Sequence, residues 1–157
     1  FNGALERLIE ARTSEGSRLA AVFTDQLARI ESLVAAVAAS PARTTQAIRK
    51  RLAEQVQKLM DGVPALDPER LHQEAALIAT RADIEEEIKR LTAHVAAARE
   101  LMAAAEPVGR KLDFLAQEFN REANTLCSKA NDPDITRSGL ALKAVIDQMR
   151  EQVQNIE

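Results

Sequence analysis

The residues from Pro107 to Lys129 constrain the fold more than any other stretch, because their apolar positions repeat with the period of an α-helix. The apolar residues recur at steps of three and four: Leu112, Leu115, Phe119, Ala123 and Leu126. The Asn-Asp-Pro sequence at 131–133 is typical of a helix end. This stretch therefore predicts one amphipathic helix, which must bury its apolar face against other elements.

The two flanks of this predicted helix are rich in side chains that make directional hydrogen bonds. One flank carries Lys111, Glu118, Glu122, Thr125 and Lys129, and the other carries Arg110, Asp113, Gln117, Arg121, Asn124 and Ser128. A merely solvated helix commonly uses interchangeable Glu and Lys, whereas Asn, Asp, Ser and Thr are mediocre helix formers. The flanks therefore indicate fixed polar geometry rather than solubility alone.

The rest of the 157-residue chain also has the helical period. Hydrophobic residues make up 46% of it, yet there is no Trp or Tyr and there are only five Gly and five Pro, which is typical of packed helices. We predict an all-α fold of about five helices, arranged as long antiparallel hairpins or a bundle that forms an oligomer: 4–39, 41–60, 68–105, 107–129 and 133–156. The last apolar stripe is close to a heptad repeat, as in a coiled coil, and predicts a two-helix or oligomer seam.

Three local features leave alternatives open. The apolar stripe slips between Ile78 and Ile84, which predicts either a kink or a change of packing partner. Gly16 interrupts the first helix and fits either a close approach or bend, or a tolerated surface glycine. Ser40-Pro41 predicts an N-cap and first position for the second helix, whose lopsided basic charge fits either phosphate contacts or a solvated face.

Composition and motifs exclude several functional classes. The net charge of -3 excludes a uniformly basic surface for nucleic acid, and no apolar run has membrane-spanning length. No Walker loop, GxGxxG, HExxH or CxxC motif is present. The single Cys127 cannot form an internal disulfide, so it fits a reducing compartment, and we interpret it as a small buried hydrophobe rather than a reactive thiol. His72 receives no role.

Carboxylates at helical spacing are the main chemical feature that remains. Glu118 and Glu122 are four residues apart on one predicted helix. On another, Asp83, Glu87, Arg90 and His94 follow at steps of four, three and four, so they share a face. Two such helices side by side can hold a hard divalent ion, Mg or Mn, through oxygen ligands and an imidazole. Because such spacing is common in helices, a solvated face and a structural histidine fit the same pattern.

The chain also resembles a known family. The sequences VGRKLDFLAQEFNREANTLCSK, SKANDPDIT and LKAVIDQMREQVQNIE are similar to the C-terminal region of the YicC/YloC proteins, and RADIEEEIKRLTAH resembles a second signature of that family. The resemblance extends from about residue 4 to the end of the chain. Two positions depart from the pattern: Ala93, where a small polar residue is expected, and Cys127, at a variable position.

The resemblance implies properties that periodicity does not show. It implies a bacterial, cytoplasmic protein that forms homo-oligomers, with hexamers for the full-length protein, and that cleaves RNA as a divalent-metal-dependent endoribonuclease. It also implies that residues 1–157 are the C-terminal all-helical domain of a larger protein whose N-terminal α/β region is absent here. Whether the chain is active without that region is left open.

Chemistry and resemblance together assign candidate roles. Glu118, Glu122 and His94 are the candidate catalytic residues, and Glu87, Glu118 and Glu122 are the candidate ligands of Mn or Mg. Four basic residues are candidates for contacts with RNA phosphates: Arg110, Lys111, Arg121 and Lys129. The alternative is a non-catalytic helical oligomerisation or interaction module. Catalytic residues should converge on an open concave surface, whereas structural ones should be buried and mutually paired.

Overall fold

The computed structural model describes residues 2–62, 67–104 and 106–154. Within these ranges it contains no strand, and helices hold more than three quarters of the chain, which confirms the all-α prediction. The elements are α1 (Asn2–Ala39), a 3-10 helix (Pro41–Arg43), α2 (Thr45–Gly62), α3 (Pro68–Arg81), α4 (Glu85–Ala103), α5 (Gly109–Lys129) and α6 (Pro133–Val153). None of these helices is long and apolar enough to cross a membrane.

Four helices share the main core of the protein. α1 packs on α4 and α6, and α5 packs on the same two helices from the other side. The largest fully buried side chains all belong to this core: Phe119, Leu27, Ile30, Leu91, Leu126, Leu142, Ile146 and Val37. Each buried side chain of this size stabilises the fold by about 1.5–3 kcal/mol relative to exposure, so the four-helix core dominates the stability.

The near-heptad apolar stripe of α6 is buried inside the chain's own core. Ile135, Leu142, Val145, Ile146, Met149 and Val153 are all buried in the four-helix core. α6 contacts both α1 and α5, so the stripe is an intrachain helix seam rather than a free surface. Ile156, the last predicted member of the stripe, lies outside the described residues.

The stretch predicted as one helix from 68 to 105 is divided into α3 and α4, so the prediction of a single helix there is wrong. Asp83 lies just before the N-cap residue Ile84, and its Oδ1 atom accepts a hydrogen bond from the backbone N–H of Glu85 at 2.9 Å. Glu85, Glu86 and Glu87 then fill the first turn of α4, where negative charge is favourable. Ala79 and Ala82 pack in a separate cluster with Ile48 of α2. The slip in the apolar stripe therefore marks a change of packing partner.

α2 and α3 form a small attachment to the four-helix core. Among the described residues, their own cluster consists of Ile48, Ala79 and Ala82, with Leu52 packed against it. Two arginines join this pair to the core. Arg43 donates to Glu85 on α4 at 2.6 Å, and Arg51 donates to the backbone and side-chain oxygens of Asn131 and to Asp132 at 2.6–3.2 Å. Two basic side chains of the predicted helix 41–60, Arg43 and Arg51, therefore form contacts within the chain.

The predicted helix starts agree with the structure in most places. Ser40 caps the 3-10 helix rather than α2 itself, because its hydroxyl accepts from the backbone N–H of Ala42. Asp67 caps α3 and Asp132 caps α6, each followed by proline at the first helical position. Pro107 lies two residues before α5 rather than inside its first turn.

The first part of α1 lies largely in solvent. Leu5, Leu8 and Ile9 form an apolar stripe on it, and each is more than half exposed. Nothing lies within 4 Å of a Cβ built on Gly16, which identifies it as a tolerated surface glycine. The first helix therefore packs into the bundle only along its second part, where Phe23, Leu27 and Ile30 are buried.

Gly139 on α6 is required by close packing against Cys127 on α5. A Cβ at this position would lie 2.6 Å from Cys127 Sγ and 3.2 Å from Leu126 Cδ2. Burial raises the pKa of the Cys127 thiol, which agrees with its interpretation as a packed hydrophobe rather than an activated nucleophile.

Gly139→Ala is expected to destabilise the protein despite the better helix propensity of alanine. Overpacking typically costs about 1–3 kcal/mol, whereas replacing a helical glycine with alanine gains about 1 kcal/mol. Urea unfolding measures the net change. Gly16→Ala is the matched control and is expected to stabilise, and in a Cys127→Ala background the penalty at Gly139 should disappear. An equal gain in stability from both glycine substitutions would contradict the packing argument.

Candidate functional site

Three predicted site residues meet between α4 and α5. Glu118 and Glu122 are one turn apart on α5, and His94 lies on α4, which packs directly against α5. One carboxylate oxygen from each glutamate and one ring nitrogen of His94 lie within 4.8 Å of one another. We call these three side chains the His-Glu-Glu cluster. Two carboxylates and one imidazole form a donor set that suits Mn or Mg.

His94 has a nitrogen that no other side chain satisfies. Its ring packs edge-on against Phe119 at a centroid distance of 5.5 Å, and its Nε2 atom is buried without a hydrogen-bond partner. Burial lowers the pKa of His94, while the carboxylates of Glu122 and Glu118 act in the opposite direction. A neutral imidazole with a free nitrogen is suited to ligate a metal or to accept a proton.

The two glutamates of the cluster have different surroundings. Glu122 is only 2% exposed and accepts a hydrogen bond from Arg90 Nη1 at 3.1 Å, and this bond raises the pKa of Arg90. Arg90 also donates to Glu86 at 2.5 Å, so it is held between the two carboxylates. Glu118 is half-buried, and its nearest cation is Arg121 at 3.7 Å. The cluster therefore contains one neutralised, buried carboxylate and one that solvent can reach.

Glu87 and Lys129 form a second polar contact between the same two helices. Glu87 is 3% exposed, and its Oε1 atom accepts a hydrogen bond from Lys129 Nζ at 2.8 Å. The other carboxylate oxygen of Glu87 is buried without a partner. Glu87 is not a member of the His-Glu-Glu cluster, so its role as a metal ligand stays a prediction. Lys129 has an intrachain partner before any RNA is considered.

The other three candidate phosphate contacts lie along the α4–α5 surface. Arg121 is exposed beside Glu118. Arg110 and Lys111 lie nearer the start of α5 and line a groove against Ala97 and Leu101 of α4. Lys111 is paired with Glu106, whereas no carboxylate in the described ranges lies within ion-pairing distance of Arg110. These basic side chains therefore flank the cluster along one side of the molecule.

The residues of the site divide into two groups, one buried and mutually paired and one half-buried. Glu122 and Glu87 are buried and paired, as residues of a structural network should be. His94 and Glu118 are only half-buried, and His94 Nε2 lacks a partner, as a ligand-binding group would. Spacing placed Arg90 on the face of His94, but no role was assigned to it. Its position one turn before His94 was the available signal.

These features define a helical protein with a carboxylate–imidazole cluster contributed by two packed helices. Residues 37–157 match the family described as "Endoribonuclease YicC-like, C-terminal". The chain belongs to this family, as its resemblance to the YicC/YloC proteins indicated.

Two curated relatives agree with that assignment. A "Probable endoribonuclease YicC" of Haemophilus influenzae is 41% identical over 157 residues, which are 100% of this chain and 54% of that protein. A protein of the same name from Clostridioides difficile is 34% identical over 154 residues, covering 98% of this chain and 53% of the relative. The chain therefore spans about half the length of the curated relatives it matches.

Proposed function

We propose that this chain is part of a metal-dependent endoribonuclease and that the His-Glu-Glu cluster is its catalytic centre. The observation that carries the proposal is the convergence of His94, Glu118 and Glu122 from two helices, with His94 Nε2 left unpartnered. The names of the two bacterial relatives support RNA as the substrate. Divalent metal dependence rests on the donor set alone.

Cleavage of an RNA phosphodiester needs an activated oxygen nucleophile and neutralisation of the charge that develops on phosphate. Neutral His94 is placed to accept a proton from the attacking oxygen or to ligate the metal. Glu118 and Glu122 would hold Mn or Mg, with Arg90 fixing the orientation of Glu122. The ion, when bound, would supply Lewis-acid stabilisation of the phosphate. Arg121, beside Glu118, would contact a phosphate oxygen.

The proposal includes assembly. The exposed stripe of Leu5, Leu8 and Ile9 on α1 has no partner in the described part of the chain, and a second copy of the chain would cover it. We therefore propose a homo-oligomer, a hexamer for the full-length protein. The short α4–α5 and α5–α6 connections favour antiparallel hairpins within each copy.

One observation favours the alternative of a non-catalytic helical interaction module. Glu87 and Glu122 are almost fully buried, and each is paired with a cation from the neighbouring helix. Such pairs fix the register of packed helices without any substrate. The catalytic centre and the interaction module predict different effects of substituting Glu118, because Glu118 takes part in neither buried pair.

The deciding experiment is cleavage of end-labelled RNA by the full-length protein, with Mn²⁺ and with EDTA. Glu118→Gln is expected to lower the Mn²⁺-dependent rate on the order of 100-fold, the usual consequence of removing one preorganised electrostatic group. Glu54→Gln on exposed α2 is the matched control and should keep the wild-type rate. Cleavage that is unchanged by EDTA and by Glu118→Gln would refute the assigned centre. A smaller assembly with Glu118→Gln would favour the interaction module.

A further inference from the structure

We propose that Phe114 is a stacking platform for a base of single-stranded RNA, next to the His-Glu-Glu cluster. This inference rests on the proposed function, and it adds the structural class of the substrate and a residue that positions it.

Phe114 is the exposed phenylalanine of the described residues. Phe23 and Phe119 are 2% and 0% exposed and belong to the core, whereas Phe114 is 63% exposed. A single exposed apolar side chain is common in proteins and carries no argument by itself. Phe114, however, lines a groove between α4 and α5 whose floor is formed by Ala97, Leu101 and Leu115. A flat aromatic ring beside an apolar groove offers a surface for a nucleobase.

The groove lies about one helical turn from the proposed catalytic centre. Phe114 lies one turn before Glu118 on α5, with a rise of about 6 Å between them, and Arg110 lies one turn before Phe114. On α4, Ala97 of the groove lies about one turn from His94. A base stacked on Phe114 would therefore lie within about one nucleotide of the His-Glu-Glu cluster.

The charges at the groove suit the backbone of RNA. Arg110 and Lys111 lie at the end of the groove away from the cluster. Lys111 is neutralised by Glu106, but Arg110 has no ion-pair partner in ranges 2–62, 67–104 and 106–154. Glu100 is the acidic residue of the lining and disfavours phosphate on the α4 side. The α5 side of the groove is therefore the path for the phosphates.

Proteins that bind single-stranded nucleic acid commonly place basic groups next to exposed aromatic rings. Arg110 and Phe114 provide this combination beside the proposed catalytic group. Bases stack on aromatic side chains while basic groups follow the backbone, and the bases must be unpaired to do so. Stacking of a base on an aromatic ring depends little on sequence, because every base has a π-face. We infer a preference for single-stranded over double-stranded RNA, with little dependence on sequence at the stacked position.

The test measures binding by the full-length protein in EDTA, so that cleavage does not interfere. The probe is a single-stranded RNA oligonucleotide that carries 2-aminopurine, whose fluorescence falls when the base stacks on an aromatic ring. We expect wild-type protein and Phe114→Trp to quench the probe. Phe114→Leu keeps the apolar volume without the aromatic face, and it should lose the quenching and bind about tenfold more weakly. Leu77→Ala, an exposed apolar residue on α3, is the matched control.

Four results of these measurements would contradict the proposals. Equal affinity and equal quenching for wild type and Phe114→Leu, with RNA cleavage by the wild type intact, would overturn the stacking role and leave the proposed function standing. A smaller oligomer by light scattering for Phe114→Leu would identify Phe114 as a contact between copies and would also overturn it. Equal affinity of wild type for a duplex of the same sequence would refute the preference for single strands. Absence of both binding and cleavage by the wild type would refute the proposed function itself.

Discussion

Lys129→Met is expected to lower the free energy of unfolding by about 3 kcal/mol, a large share of the stability of a domain of this size. The substitution keeps most of the apolar stem but removes the ammonium group that donates to Glu87 at 2.8 Å. Glu87 would then be a nearly buried carboxylate without a partner. We place the effect at the lower end of the usual range because the Lys129 side chain is 31% exposed. Urea unfolding monitored by circular dichroism measures it.

A double-mutant cycle separates this effect from general damage to α5. Glu87→Gln combined with Lys129→Met removes the unpaired charge, so the double variant should be more stable than Lys129→Met alone. Lys89→Met is the matched control, since Lys89 is 74% exposed and pairs with Glu85 only at 3.5 Å. A loss from Lys129→Met no larger than that from Lys89→Met would show that the contact is not structural. Lys129 would then be free to serve as the phosphate contact predicted from sequence.

The helical period of the sequence was sufficient to predict most of the fold. The apolar face of α5 is buried at Leu112, Leu115 and Phe119, as its spacing required. The slip between Ile78 and Ile84 predicted either a kink or a change of packing partner within one helix; the packing partner does change there, but the helix also ends and a new one begins. The run of Glu85, Glu86 and Glu87 was the local signal, since an acidic first turn marks a helix start. The packing of α1, by contrast, could not be predicted, because its stripe has the same spacing where it is buried and where it is exposed.

The candidate site could be predicted only in part. Spacing placed Glu118 and Glu122 on one face, but it did not show that His94 rather than Glu87 faces both of them. That depends on how α4 and α5 are shifted along each other, which is set by tertiary packing. Spacing also could not separate the buried Glu122 from the accessible Glu118, because both lie on the same edge of the apolar face. Phe114 was missed although its position lies outside the apolar face of α5, because spacing does not show whether a neighbouring helix covers such a residue.

The difference between Glu118 and Glu122 leads to the second large expected effect, on metal binding. Excess Mn²⁺ is expected to stabilise the wild-type full-length protein, by about 2.7 kcal/mol at a concentration 100 times the dissociation constant. Glu118→Gln should abolish this stabilisation and leave the metal-free stability nearly unchanged. The reason is that Glu118 is half-buried and its only close cation in the described residues is Arg121, at 3.7 Å.

Glu122→Gln should behave differently, because Glu122 is 2% exposed and holds Arg90. It should abolish the stabilisation by Mn²⁺ and also destabilise the metal-free protein, since the contact between α4 and α5 is weakened. Thermal unfolding of EDTA-treated protein, with and without added Mn²⁺, measures both quantities, and Glu54→Gln is the control. If the cluster binds metal, both substitutions should abolish the stabilisation by Mn²⁺. Only Glu122→Gln should also lower the stability of the metal-free protein. If Mn²⁺ does not stabilise the wild type, the cluster is a structural contact and the proposed centre must be abandoned.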